Sequence, residues 1–231
     1  MPLDGGKARV LQRDAAALGI DLGTDQAERL ATFADMLLRW NRTFNIISRQ
    51  DEARLVPRHL LDSLSIAPWL RGPLVLDLGT GGGLPGVPLA ILRPDLSFTL
   101  VDRSQRKIRF VSQVCRALEL GNVKPLCADV DRLGPEMRFD CIVSRAVTGL
   151  RALWELARPL LRSGSAPGVL LAMVSARAEQ DPESGLASLE LPGGRIIDSP
   201  VLRIPGLADG HRLVVVEAEE APSAKEGGPR Q

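Results

Sequence analysis

The chain has 231 residues, 45% of them hydrophobic and 25% charged, with a formal net charge of +1. That length fits one doubly wound domain with a small appendage, and the hydrophobic share excludes a globally disordered chain. The near-zero charge excludes a general basic field, so any nucleic-acid contact must come from a local patch. The cysteines are Cys115, Cys127 and Cys141, and the histidines are His59 and His211. With no CxxC pair and the histidines far apart, neither a disulfide framework nor a metal site is expected. Free thiols suit a reducing cytosol. The first residues carry no signal-like apolar segment, and no apolar run reaches the ~20 residues that span a bilayer, so a cytoplasmic protein without a membrane partner is expected.

Residues 1–23 are rich in Gly, Ala and charge and read as partly helical. Thr24 or Asp25 can cap the next helix, on which Leu30, Ala34, Leu37 and Leu38 recur at helical spacing until the pattern stops near Asn41. A second helical stretch is expected from about 52 to 66, so that residues 1–72 form a helical cap. The pattern changes at Pro73. Strands are predicted over 74–78, 96–102, 122–126, 139–144 and 169–174, with a sixth and seventh over 196–204 and 212–217. Between them lie a helix capped by Ser104, with Ile108, Val111, Cys115 and Leu118 on its apolar face, and another with Leu150, Leu153, Trp154, Ala157 and Leu161. Strands alternating with helices predict an α/β, Rossmann-like core over 73–217 with a mostly parallel seven-stranded sheet. The Glu-, Gly- and Pro-rich stretch 218–231 reads as a disordered tail.

The central feature is the run Asp77-Leu78-Gly79-Thr80-Gly81-Gly82-Gly83-Leu84-Pro85-Gly86, which leaves a strand and opens a helix. In an open α/β sheet such a turn lies at the carboxyl ends of the strands, where ligands bind. Gly81, Gly83 and Gly86 also satisfy GxGxxG, the dinucleotide pattern. Asp77, directly before the loop, argues against a pyrophosphate and for the ammonium of a methionine, met directly or through water. S-adenosyl-L-methionine carries no phosphate, so the helix N-terminus need not serve as an anion site. Asp102, at the end of the next strand, is the expected acceptor for two ribose hydroxyls, a role that nicotinamide and methionine cofactors share. The loop Asp129-Val130-Asp131 follows the third strand, where Val130 either packs on an adenine while Asp131 meets its exocyclic amine, or forms a plain solvated turn.

With these residues in place the chain resembles the RsmG family, also called glucose-inhibited division protein B. The motifs are Trp40-Asn41-Arg42-Thr43-Phe44-Asn45-Ile46, Arg58-His59-Leu60-Leu61-Asp62-Ser63, the run 77–88, Arg93-Pro94, and the run 139–146. The resemblance covers roughly residues 28–160. It implies a class I S-adenosylmethionine-dependent methyltransferase fold and a guanine-N7 product in 16S ribosomal RNA. By resemblance Gly79, Leu84, Val130, Asp131 and Arg145 match cofactor-contacting positions, and Asp102 and Arg103 fall on the ribose-binding turn. The family carries a Lys-Gly pair at the end of the fifth strand, where Val174-Ser175 stands here, and 179–194 aligns poorly.

N7 of guanine has a free lone pair and no proton, so the implied reaction requires positioning and no general base. Arg145 is the first candidate for that positioning, through the cofactor carboxylate or the target nucleotide; the alternative is a structural arginine paired with Asp62 or a carbonyl. His59 and Arg58 form either the rim that admits RNA or, for His59, a packing histidine, with Asp62 placed to orient either. Arg103, Arg106, Lys107 and Arg109 cluster at the start of one helix, where Arg106 and Lys107 are candidates for phosphate contact. Trp40 and Phe44 read as core. The expected partner is 16S ribosomal RNA or the small subunit, met by a monomer. Competing readings are a methyltransferase acting on a small molecule or protein, a nicotinamide-dependent oxidoreductase, and a non-catalytic RNA-binding module.

Overall fold

The central strands bury alternate residues on opposite faces, which is why they read as unbroken apolar runs. The computed structural model describes residues 5–134, 136–145, 149–175, 189–208 and 211–219. The expected tail beyond 219 and most of the segment 179–194 lie outside them. The strands are β1 (Leu74–Leu78), β2 (Ser97–Asp102), β3 (Val123–Cys127), β4 (Cys141–Arg145), β5 (Val169–Ser175), β6 (Gly194–Asp198), β7 (Val201–Leu202) and β8 (His211–Ala218). Their order is β3-β2-β1-β4-β5-β8-β6, with β7 also paired to β8. The first five are parallel; β8 runs antiparallel to β5, and β6 and β7 antiparallel to β8.

Val75, Leu100, Val143, Leu171, Met173 and Val215 face one side of the sheet, and Leu76, Val101, Ile142, Leu170, Val214 and Val216 the other. The first face is covered by α1 (Gly5–Ala16), α2 (Thr24–Phe44), α3 (Asp62–Leu64), α4 (Gly86–Leu92) and α5 (Gln105–Ala117). The second is covered by α6 (Leu150–Ala157), whose Trp154 is fully buried. The helices of the first 72 residues therefore share one hydrophobic cluster with the sheet: Leu30, Phe33 and Leu37 of α2 belong to the same cluster as Val87 and Phe110.

The structure departs from the sequence reading in four places. Among the described residues the sheet has eight strands, because the expected sixth is broken into β6 and β7 around Ser199-Pro200. Pro200 has no N–H for a ladder, and the register already shifts between Ile196 and Asp198; the carbonyl of Pro200 instead accepts from Leu213 N–H at 3.0 Å. The cap of α2 is Gly23, whose amide donates to the side chain of Gln26 at 3.0 Å, and the helix continues past Asn41 to Phe44. The stretch 52–66 is a 3-10 turn (Arg49–Arg54), then a π-helical turn (Val56–Leu61), then α3. The helix expected to reach Leu161 stops at Ala157, before a 3-10 turn that contains Pro159.

Candidate active site

Strand order reverses at β1: the chain lays β2 and β3 to one side, then returns to lay β4 and β5 on the other. In this architecture ligands bind at such a switch point, which here lies at the carboxyl ends of β1 and β4. The two strand ends are tied together there by Ser144, whose Oγ donates to the carbonyl of Leu78 at 2.9 Å.

The glycine loop is built onto the neighbouring strand. The amides of Gly79 and Thr80 both donate to the carbonyl of Val101 at 2.9 Å. Gly79, Gly81 and Gly83 have positive φ. At Gly81 (φ +57°) a Cβ would meet only the Gly79 carbonyl, at 3.9 Å, so this backbone borders open space on its cleft side. Gly82 is small for a different reason: a Cβ there would lie 2.6 Å from Cγ2 of Ile46 and 3.1 Å from Cδ1 of Leu37, so the loop is pressed against the N-terminal helices.

Asp77 is fully buried and locks the loop from beneath. Its Oδ2 accepts from Thr80 Oγ1 at 2.6 Å and from the amide of Gly86, the first residue of α4, at 2.8 Å. Its Oδ1 is buried without a hydrogen-bond partner. Burial pushes the Asp77 carboxyl up to about 6, against the opposing pull of its Thr80 and Gly86 bonds and of Arg145. Asp102, 8% exposed, is held by backbone: Oδ1 accepts from Ser104 N–H at 2.8 Å and Oδ2 from Gly81 N–H at 3.0 Å, with Lys107 Nζ 3.3 Å from Oδ2. This acid and the Gly81 amide thus converge on the open side of the loop. Their geometry fits a nucleoside whose ribose hydroxyls seek acceptors beside a glycine backbone that leaves room for it.

Arg145 is the last residue of β4 rather than the residue just after it. Its Nη1 lies 2.9 Å from Nδ1 of His59. An arginine only donates, so Nδ1 is the acceptor, and the neutral ring carries its proton on Nε2. That Nε2 is buried without a partner. Burial, reinforced by Arg145, pushes His59 down to about 4. Burial also lowers the Arg145 guanidinium from its ordinary value, while Asp62 and Asp77 counter it. Asp62 faces His211, the first residue of β8: Nδ1 of His211 is 2.5 Å from Asp62 Oδ1, a close contact misaligned for a hydrogen bond.

The remaining expected residues are distributed around this centre. Leu84 is buried in the hydrophobic cluster beneath the loop. Val130 and Asp131 lie on a 3-10 turn after β3, Val130 packed against the second cluster and Asp131 exposed. Arg58, Arg103 and Arg106 are exposed and Lys107 half-buried. His59 is 6% exposed and stands behind Arg145 rather than on the surface. Phe44 and Trp40 are half-buried: Trp40 packs against the first cluster with its ring 5.2 Å from that of Phe110, the Trp40 and Phe44 rings are 5.0 Å apart, and Arg106 lies over Phe44 at 5.8 Å. The sequence reading did not single out Thr80, Ser144 or His211. The position of Thr80 three residues after Asp77 was the available signal for the first; nothing local marks the other two.

The fold, the glycine loop and the strand-end acid define a class I S-adenosylmethionine-dependent methyltransferase. The glycopeptide N-methyltransferase MtfA, solved with S-adenosyl-L-methionine, superposes with a TM-score of 0.57 at 13% identity over 71% of this chain and 88% of its own. The chain belongs to the GidB family, rRNA small subunit methyltransferase G, whose model matches residues 26–194. It is 43% identical to ribosomal RNA small subunit methyltransferase G of Methylococcus capsulatus, over 86% of this chain and 92% of that protein. It is 40% identical to the protein of the same name from Azoarcus sp., over 87% and 92%.

Proposed function

We propose that the chain methylates N7 of one guanine in 16S ribosomal RNA, as free RNA or within a small-subunit particle, acting as a cytoplasmic monomer. The observation that carries this reading is the convergence of the glycine loop, Asp102 and Arg145 at one switch point that offers no free general base among the described residues. Asp77 is buried under the loop, His59 is committed to Arg145, and His211, 8% exposed, lies against Asp62. A site without a base suits an acceptor that carries no proton, and N7 of guanine is one.

S-adenosyl-L-methionine supplies a methyl group on a sulfonium, an electrophile that a lone pair can take without acid–base help. Asp102, fixed by two backbone amides, receives the ribose hydroxyls, with Arg103 beside it on the same turn. Gly79 and Gly81 would let the backbone approach the methionine part, Gly83 lets the loop pack on Val87, whose Cγ2 would lie 2.7 Å from a Cβ there, and Leu84 supports the loop from behind. Asp77 acts through the loop that it fastens. Val130 and Asp131, on the turn after β3, would flank the adenine. Arg145 positions the cofactor carboxylate or the target nucleotide, in surroundings dry enough to strengthen its field. The dinucleotide alternative is disfavoured because Asp77 Oδ2 already occupies the Gly86 amide at the start of α4, where a pyrophosphate would have to sit.

The RNA would enter over the start of α5. Arg103 and Arg106 are exposed there, and Arg58 is exposed on the π-helical turn, with no acid paired to any of them among the described residues, whereas Arg29, Arg93 and Arg162 elsewhere each hold a carboxylate. Unpaired arginines match phosphates, and the Phe44 ring beneath Arg106 adds a flat apolar surface of the kind on which bases stack. The test is incubation with labelled S-adenosyl-L-methionine and small-subunit RNA or particles lacking the modification, followed by mapping of the product. A single N7-methylguanine is expected. Cofactor binding with no methyl group on either substrate would overturn the assignment of the acceptor.

A further inference from the structure

We infer that His59 is a positioning residue that aims the guanidinium of Arg145 into the cleft, through a tautomer that the pairing itself dictates. The inference rests on the methyl-transfer reading of the cleft. Arg145 ends β4 at the switch point and is long enough to adopt many rotamers; among the described residues its side-chain acceptor is Nδ1 of His59 at 2.9 Å, which selects its direction. The histidine is itself held. It lies on the π-helical turn Val56–Leu61, a type of distortion often found at functional sites, and its carbonyl accepts from Ser63 Oγ at 2.5 Å. Asp62, the residue just past that turn, contacts His211 of β8. One short segment of the N-terminal region thereby meets two strands of the sheet: His59 bonds Arg145 of β4, and Asp62 lies against His211 of β8.

Packing alone does not account for a histidine here. The residue is 6% exposed, and its Nε2–H has no partner among the described residues, so an apolar side chain of similar size would avoid an unsatisfied donor. What an apolar side chain lacks is the acceptor at Nδ1. The charged groups around the ring are Arg145 from β4, Arg58 on its own turn, Asp62 just beyond that turn and Asp51 from the preceding 3-10 turn. Burial and the arginines prevail over the acids, and the ring stays neutral. Protonation at Nδ1 would set donor against donor and release Arg145.

The test combines a double-mutant cycle with a spectroscopic measurement on the full chain. His59→Ala should lower kcat by up to about a hundredfold, the scale of a misplaced catalytic group, and should have no further effect in an Arg145→Ala background. His59→Asn, whose amide oxygen can stand near the Nδ1 position, should recover most of the activity and also guards against a folding defect in the alanine variant. Nitrogen-15 chemical shifts should show His59 as the Nε2–H tautomer through neutral pH, and Arg145→Ala should release it to a mixture. Additive losses in the double variant, or an Nδ1–H ring in the wild type, would overturn the inference. Absence of RNA methylation by the wild type would instead count against the functional reading, and the tautomer measurement would still decide whether His59 holds Arg145.

Discussion

The carboxylate of Asp102 and the amide of Gly81 stand 3.0 Å apart although 21 residues separate them in the chain. The loop after β1 is thus fixed to the end of β2 before any ligand arrives, and the acid expected to meet the ribose also shapes the backbone expected to meet the methionine. Asp102→Ala should therefore weaken S-adenosyl-L-methionine by about 10- to 100-fold, the worth of a charge-assisted hydrogen bond, with the fold retained. Titration calorimetry beside a far-ultraviolet circular dichroism spectrum checks both halves. Unchanged affinity would remove Asp102 from the site.

Arg145→Lys keeps the charge and loses the planar fork. Turnover should fall by at least about tenfold, with RNA affinity little changed, because a lysine cannot reproduce the guanidinium geometry against His59. Single-turnover methylation at saturating RNA measures this. Wild-type turnover would show that Arg145 is structural.

Acid stability carries two opposed contributions. The unfolded chain protonates His59 near its ordinary value of 6.5, but the folded chain does so only at about 4, so this residue makes stability rise with pH across that window. Asp77 ionises near 3.8 when unfolded and at about 6 when folded, so the folded chain retains a proton in between and stability falls as pH rises. A displacement of about two pH units corresponds to roughly 3 kcal/mol, and the two slopes offset one another between about pH 4 and 6. Asp77→Asn removes the falling slope alone. Urea unfolding of that variant should show stability gaining roughly 3 kcal/mol from about pH 4 to 6.5 relative to the wild-type profile. A parallel pair of profiles would refute the buried state of Asp77.

Gly82→Val places carbon where Ile46 and Leu37 already pack. A loss of about 1–3 kcal/mol in unfolding free energy is expected, with weaker cofactor binding as the loop shifts. Because φ at Gly82 is ordinary, the effect should shrink when Ile46 is also changed to Ala. Persistence of the full defect would point to backbone strain instead.

Arg106→Ala should weaken RNA binding, lower the dependence of that binding on log salt by about one, and leave cofactor affinity unchanged. An equal loss for cofactor would place Arg106 in the nucleoside site rather than on the RNA surface.

The parallel core was legible because buried parallel strands advertise themselves: β1, β2, β4 and β5 are short apolar runs, and the glycines after β1 can only be a loop. Asp102 was legible because strand-end acids have a fixed place in this architecture. The broken sixth strand was missed although Pro200 marked it, since the apolar residues on either side overrode one missing donor. Residue order does not show which oxygen of Asp77 is engaged, so the sequence led to a ligand contact where the structure finds a loop fastener. The motif around His59 left open a rim residue or a packing histidine; the ring is buried on the π-helical turn, with Nδ1 on Arg145. His211 had no signal at all: it meets Asp62 only because β8 inserts antiparallel beside β5, a long-range consequence of topology.

That insertion makes the last described strand a central one. The cofactor loop, Asp102 and Arg145 all belong to strands that can pair as soon as they are synthesised, each with a near neighbour in the chain. The Asp62–His211 contact closes across about two thirds of the chain, and until β8 arrives β5 presents an open edge. Binding of the nucleoside and completion of the arginine-bearing side of the cleft are therefore separable events during folding. A nascent chain would gain the first before the second, and would leave its apolar β5 edge unprotected in the interval.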